Sequence, residues 1–285
     1  MPTVNAGVCT GCGRCVTVCP YHLLGLGVAG VPELQGGWRT RCLGCGHCAV
    51  VCPEGAVNID GLPISGPVGE PLAHEEILGQ MLLRRSVRQY QARDVSREVV
   101  AQVLEAARCA PTGHNAREVG CVAVASSTRR ARLADEIGAA YRRIARGVGN
   151  PLVRVAMTLW IGPSRVQELC ASVSGLQWAE EQIEQGKDPL FHHAPVVLLL
   201  HAPPAETAEA DCALAAGQMS LLAPSLGLGT CHIGYASALL KRLPRIARGC
   251  GVPRGRRVFS VLTLGYPAVL WCGIPTRPEV PVVWR

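Results

Sequence analysis

The sequence predicts an α+β protein of two unequal domains, a small cysteine-rich unit over residues 1–61 and a larger one over residues 74–285. Three observations carry this reading. A short cysteine pattern occurs twice, 33 residues apart, as CTGCGRCVTVCP (Cys9–Pro20) and CLGCGHCAVVCP (Cys42–Pro53). A Gly- and Pro-rich stretch without periodicity, GLPISGPVGEP, follows and reads as a linker, taken as residues 62–73. Beyond it, helical apolar stripes are interspersed with short buried-type apolar runs, which predicts a central sheet flanked by helices.

In the small unit each copy reads C-x2-C-x2-C-x3-C-P, and the copies share eight of their twelve residues. Three closely spaced thiolates on a tight loop can wrap one side of a metal centre, and Gly11, Gly13, Gly44 and Gly46 let that loop fold around it. The turn after the third Cys carries the fourth away, and Pro20 or Pro53 stops any helix there. The run resembles that of bacterial two-cluster ferredoxins, over residues 1 to about 60. The resemblance implies one [4Fe-4S] cluster on Cys9, Cys12, Cys15 and Cys52, and another on Cys42, Cys45, Cys48 and Cys19. Two structural zinc sites are the alternative, although these usually use paired knuckles rather than a triple followed by Cys-Pro. Arg14 and His47 fill the same slot between ligands and read as solvated loop residues, where a charge can also tune potential. Between the copies, HLLGLGVAGVPELQGGW predicts a hairpin, and AVNIDG after Cys52 a closing strand.

The larger unit opens with HEEILGQMLLRRSVRQY, a helix at its start, with acids in the first turn and basics at the end. Ser96 is placed to cap REVVAQVLEAARCA, where Val99, Val100, Val103, Leu104 and Ala107 form one apolar stripe ended by Pro111 and Gly113. VGCVAVAS (119–126) predicts a buried strand, TRRARLADEIGAAYRRIARG a long helix, and residues 150–190 further helix. APVVLLLHA (194–202) reads as a central strand and RRVFSVLTLGYP as the last one. ALAAGQMSLLAPSLGLG is an almost wholly apolar helix and should be buried, a partner subunit being one surface against which it can pack.

Composition bounds the setting. Hydrophobic residues make up 48% and charged residues 17%, a globular balance. The start MPTVNAGVC lacks the basic and apolar regions of a signal peptide, and VVLLL is strand-sized, so a cytoplasmic protein without membrane spans is expected. Fifteen cysteines in such a chain argue for thiols or metal ligands, not disulfides. Cys109, Cys121, Cys170, Cys212, Cys231, Cys250 and Cys272 show no ligand spacing and read as core thiols. The formal charge is +7, and 26 of 28 basic residues are Arg, which fits codon bias, phosphate binding or docking of an acidic electron carrier. No basic run is interleaved with aromatics, so no nucleic-acid partner is expected.

No GxGxxG follows a strand, which argues against a Rossmann dinucleotide fold. Four segments, RRSVRQY (84–90), APTGHN (110–115), SLGLGTCHIGY (225–235) and LGYPA followed by PTRPEVPVVW (264–284), instead resemble the nitroreductase family of FMN enzymes. The resemblance spans about residue 75 to the C-terminus and implies that Arg84, Arg85, Ser86 and Arg88, with Arg277, surround the FMN phosphate, for which charge-assisted forks are suited. It implies that Thr112, Gly113 and Asn115 reach the flavin from the neighbouring subunit of a homodimer. It places the backbone of His232, Ile233, Gly234 and Tyr235 beside flavin N5. The chain departs from the pattern after Asn115, where Arg117, Glu118 and Val119 stand in place of Gln-Pro-Trp. His114 and His232 stand where relatives usually carry Gly and Trp or Pro. Either can protonate a substrate near neutral pH, or His232 packs beneath the flavin and His114 caps a turn.

The expected function joins the two units. Clusters accept single electrons from a low-potential ferredoxin or flavodoxin, and FMN passes pairs to an electron-poor small molecule such as a nitro compound. NAD(P)H is the other donor open to the family. Dehalogenation, ring dehydrogenation, flavin fragmentation and a non-catalytic carrier or redox-sensing role are the alternative functions.

Overall fold

A computed structural model describes residues 2–37, 41–66, 69–164, 166–167, 179 and 181–285. They form two compact units, one of Met1–Leu72 with Gly113–Ala116, the other of Ala73–Thr112 and Arg117–Arg285.

In the first unit β1 (Pro2–Val4) pairs antiparallel with β4 (Val57–Ile59), so the chain's first residues close the far end of the repeat. The hairpin between the copies is β2 (Leu24–Leu26) against β3 (Pro32–Leu34). Two short helices, α1 (Arg14–Val18) and α2 (His47–Val50), each start behind a left-handed glycine, Gly13 or Gly46. Cys15, Leu24, Ala49 and Val57 form a small buried core.

The second unit is built on a four-stranded antiparallel sheet, ordered β5 (Gly120–Val124), β6 (Val196–Ala202), β8 (Arg257–Gly265), β7 (Gly229–His232). Every residue of β6 is buried because helices cover both faces, which explains its unbroken apolar run. Val196, Leu198 and Leu200 alternate onto one face, and Val197 and Leu199 onto the other. The first face packs on α4 (Arg97–Arg108) and α7 (Ala208–Leu222), the second on α5 (Ser127–Gly149), α8 (Gly234–Arg242) and α9 (Pro244–Gly249). Each fully buried Leu on these faces contributes about 1.5–3 kcal/mol.

Ser96 Oγ accepts the Val99 N–H at 3.3 Å and caps α4, whose stripe buries Val100 and Val103. The apolar α7 packs into the core of the second unit, with Ala215, Ala216 and Met219 fully buried. Before α4 come α3 (His74–Leu83) and an extended strip carrying RRSVRQY; α6 (Pro151–Ile161) follows α5. Of the helical stretch expected over 150–190, residues 165, 168–178 and 180 lie outside the described residues. Two thiols expected in the core are not there: Cys109 is exposed just past α4, and Cys272 is exposed in the extended C-terminal segment. Cys212 and Cys231 are buried, and Cys170 lies outside the described residues. No helix among the described residues is long and apolar enough to cross a membrane.

Candidate functional site

In the first unit the eight thiols line two cavities. Cys9, Cys12, Cys15 and Cys52 line one, with Ala56 and Val57 behind them. Cys19, Cys42, Cys45 and Cys48 line the other, against Leu24, Leu34 and Ile59. Each run thus gives three thiols to one cavity and its fourth to the other. The loops turn on left-handed glycines at matching places, Gly11 (φ 67°) and Gly13 (73°), Gly44 (57°) and Gly46 (86°). Amides point at sulfur in both copies: Leu23 N–H donates to Cys19 Sγ at 3.4 Å and Ala56 N–H to Cys52 Sγ at 3.3 Å. Such donors favour thiolate, whereas burial opposes it. Cys48 is pushed up to about 11, first by burial and then by Cys45, with Cys19 and Cys42 adding to it. Cys15 is raised by burial too, with Cys52 and Cys12 acting in the same sense. Four such thiols become thiolates together only around a cationic centre, so the donor set fits a metal cluster. The same unit holds Gly113–Asn115, a single 3-10 turn with His114 exposed and left-handed (φ 53°). Asn115 Nδ2 donates to the carbonyls of Leu43 (3.0 Å) and Gly44 (3.2 Å), which lie between Cys42 and Cys45.

In the second unit the RRSVRQY strip docks beside β7. Ser86 bridges in parallel to Thr230, Val87 N–H donates to the Thr230 carbonyl at 2.9 Å, and Gln91 N–H donates to the Tyr266 carbonyl at 2.8 Å. Gly229 permits this closeness, since a Cβ there would stand 2.4 Å from Val87 Cγ2. Val87 is buried, so the alternation of an extended chain turns Arg84, Ser86 and Arg88 together to the opposite side. Two guanidinium groups and a hydroxyl on one side of a strip are a donor set for a dianion. Arg85 points elsewhere: its Nη1 donates to the carbonyls of Leu82 and Arg84, closing the C-terminal end of α3. Arg277 is exposed in the C-terminal segment and makes no hydrogen bond or ion pair among the described residues.

His232 ends β7, and Ile233 follows, tied by its N–H to the Val261 carbonyl at 2.9 Å. Gly234 and Tyr235 then open α8, where first-turn N–H groups have no partner inside the helix. The Tyr235 carbonyl accepts from Tyr141 OH at 2.8 Å. Beside Tyr235 opens a cavity of about 540 Å³ lined by Ile137, Tyr141 and Leu190 and also by Arg130 and Lys187. Thr112 Oγ1 accepts the Arg117 N–H at 3.0 Å, which shapes the turn before β5. Behind the strip, Tyr90 OH meets Thr263 Oγ1 at 2.8 Å, and Thr263 in turn donates to the Cys231 carbonyl at 3.2 Å.

With this geometry in place, comparison with known proteins is direct. Residues 82–266 match the Nitroreductase family. The chain belongs to the nitroreductase family. Residues 8–57 match the 4Fe-4S dicluster domain, so this nitroreductase-family oxidoreductase carries an N-terminal iron–sulfur domain. The "FMN reductase [NAD(P)H]" of Bacillus subtilis (strain 168) is 25% identical over 208 residues, 73% of this chain and 72% of that protein. A nitroreductase with bound FMN from Desulfitobacterium hafniense DCB-2 is 23% identical with a TM-score of 0.53, covering 73% of this chain and 98% of that one. A nitroreductase with bound FMN from Bacteroides fragilis NCTC 9343 shows 22% identity, a TM-score of 0.50 and the same two coverages, a likeness of fold.

Sequence reasoning for this family member missed Ser220, whose Oγ lies 3.1 Å from His232 Nε2, and the Tyr90–Thr263 pair. The available signal for Ser220 was a hydroxyl in an otherwise apolar stretch of α7. His201 was missed as well. It is 6% exposed, and its Nδ1 accepts from Arg256 Nε at 2.8 Å. Burial, and then Arg256, hold its pKa below the ordinary 6.5. A group with a depressed histidine pKa contributes stability in full above 6.5 and loses it as pH falls through the folded value. Thermal melts should therefore show stability falling below pH 6.5, and the fall should shrink in His201→Gln, whose amide oxygen can still accept from Arg256. An unchanged acid limb in His201→Gln would remove His201 from the account.

Proposed function

We propose that the chain is an iron–sulfur flavoprotein that draws electrons singly from a low-potential carrier and delivers them in pairs to an electron-poor organic substrate. The observation that carries this reading is the gathering of eight thiols into two four-thiol cavities on the chain that also bears the Arg84–Ser86–Arg88 strip. When bound, [4Fe-4S] clusters supply one-electron transfer and FMN supplies the conversion between single electrons and pairs. Cys9, Cys12, Cys15 and Cys52 would hold one cluster, and Cys19, Cys42, Cys45 and Cys48 the other. Arg84, Ser86 and Arg88 would hold the FMN phosphate, with Arg277 joining from the C-terminal segment as the family resemblance implies. First-turn N–H groups of α8, at Gly234 and Tyr235, would hydrogen-bond the isoalloxazine edge and stabilise negative charge there. The cavity beside Tyr235 has the size and aromatic wall for a small aromatic substrate.

The assembly we propose is a homodimer. The segment after β8 leaves Leu270 (94%), Val280 (82%), Val283 (80%) and Trp284 (90%) exposed, apolar surface that a second copy would cover. The electron donor we propose is an acidic ferredoxin or flavodoxin, drawn by the formal charge of +7. The test is anaerobic stopped-flow. Reduced ferredoxin should turn over the enzyme faster than NADH or NADPH, at a rate that falls as salt rises. Cys12→Ala should abolish ferredoxin-driven turnover while dithionite still reduces the flavin. Fast NADPH reduction in Cys12→Ala, matching the ferredoxin rate of the parent, would assign entry to the nicotinamide donor that the Bacillus relative's name carries.

A further inference from the structure

We propose that Ser220 is a positioning residue for His232, holding the ring as the Nε2–H tautomer so that Nδ1 is its hydrogen-bond-accepting edge. Ser220 Oγ lies 2.8 Å from the Ala216 carbonyl, one turn back in α7, and 3.1 Å from His232 Nε2. A carbonyl cannot donate, so the single hydroxyl proton of Ser220 goes to Ala216. The contact to His232 then requires the proton to come from the ring, at Nε2. Ser220 is 1% exposed within the apolar core of α7, where an unpaired hydroxyl would be costly, and both of its contacts are made.

Nδ1 makes no hydrogen bond among the described residues, and His232, the last residue of β7, is exposed. Partial burial of the side chain, and then the Arg84 guanidinium, keep the imidazole below its ordinary pKa. A neutral ring with its one proton already given to Ser220 can accept from an N–H or O–H group of a ligand, but it has no proton to donate. The role of His232 at this edge is therefore that of an acceptor, in place of the protonating role that its residue type suggests. The ligand part rests on the proposed function; the tautomer does not.

The test is nitrogen NMR of full-length, cofactor-loaded protein labelled with 15N-histidine, with His232→Phe identifying the resonance. The parent should show a protonated Nε2 with a slowly exchanging hydrogen and an unprotonated Nδ1. In Ser220→Ala that hydrogen should exchange too fast to observe, and Ser220→Thr, which keeps the hydroxyl, should restore it. A proton on Nδ1 in the parent overturns the proposal, as does a slowly exchanging Nε2–H that survives in Ser220→Ala. Should Ser220→Ala fail to fold, the parent's tautomer and the Ser220→Thr signal still decide. Iron and flavin contents of the same samples are read separately, so a wrong cofactor assignment is distinguished from a wrong tautomer.

Discussion

Replacing Cys19 with alanine should empty the cavity lined by Cys42, Cys45 and Cys48 and spare the one formed by Cys19's own sequence neighbours. Cys19 faces the second cavity, while Cys9, Cys12 and Cys15 share the first with Cys52. A cubane that loses one of four thiolates is open to solvent at that iron. Iron in anaerobically prepared protein should fall from ~8 to ~4 atoms per chain. EPR of the reduced variant should lose the magnetic coupling between two nearby clusters and keep one simple signal. Loss confined to the cluster of Cys9, Cys12 and Cys15 would refute the crossed arrangement, and zinc in place of iron would refute the clusters altogether.

The second large effect concerns the phosphate. Arg84→Ala should weaken FMN binding by about 1.5–3 kcal/mol, or roughly 10- to 150-fold, because a dianion loses a charge-assisted partner. Arg277→Ala should do the same if the C-terminal segment closes on the phosphate. Fluorescence titration of the flavin-free protein measures both. Tight binding in both variants would move the phosphate away from the Arg84–Ser86–Arg88 strip. Weak binding in Arg84→Ala alone would confine the site to that strip.

What the sequence made legible follows from how local each signal is. The cysteine spacing is written within twelve residues, and β6 announces itself because a strand covered on both faces has no polar positions. The N-terminal β1, three residues of no special character, could not be assigned, because its partner β4 lies at the far end of the repeat. Nor could β7, whose four residues GTCH form a strand only because Val87 and β8 pair with them on either side. Arg85 is indistinguishable from Arg84 in a basic run. Only the end of α3, with its unpaired carbonyls, separates the two roles. Ser220 and His232 stand twelve residues apart on different elements, so their meeting is a product of packing.

The exchange of fourth thiols between the two cysteine runs also bears on how this domain can change by descent. A duplicated unit whose copies stand apart can shed one copy and keep the other working. Here either copy alone would leave both cavities short, one lacking its fourth thiol and the other retaining a single one. Loss of function is therefore abrupt, and inheritance favours either both runs or neither. A lineage that reduced the domain to one cluster would first need a new thiol at the vacated corner, before the second run could drift.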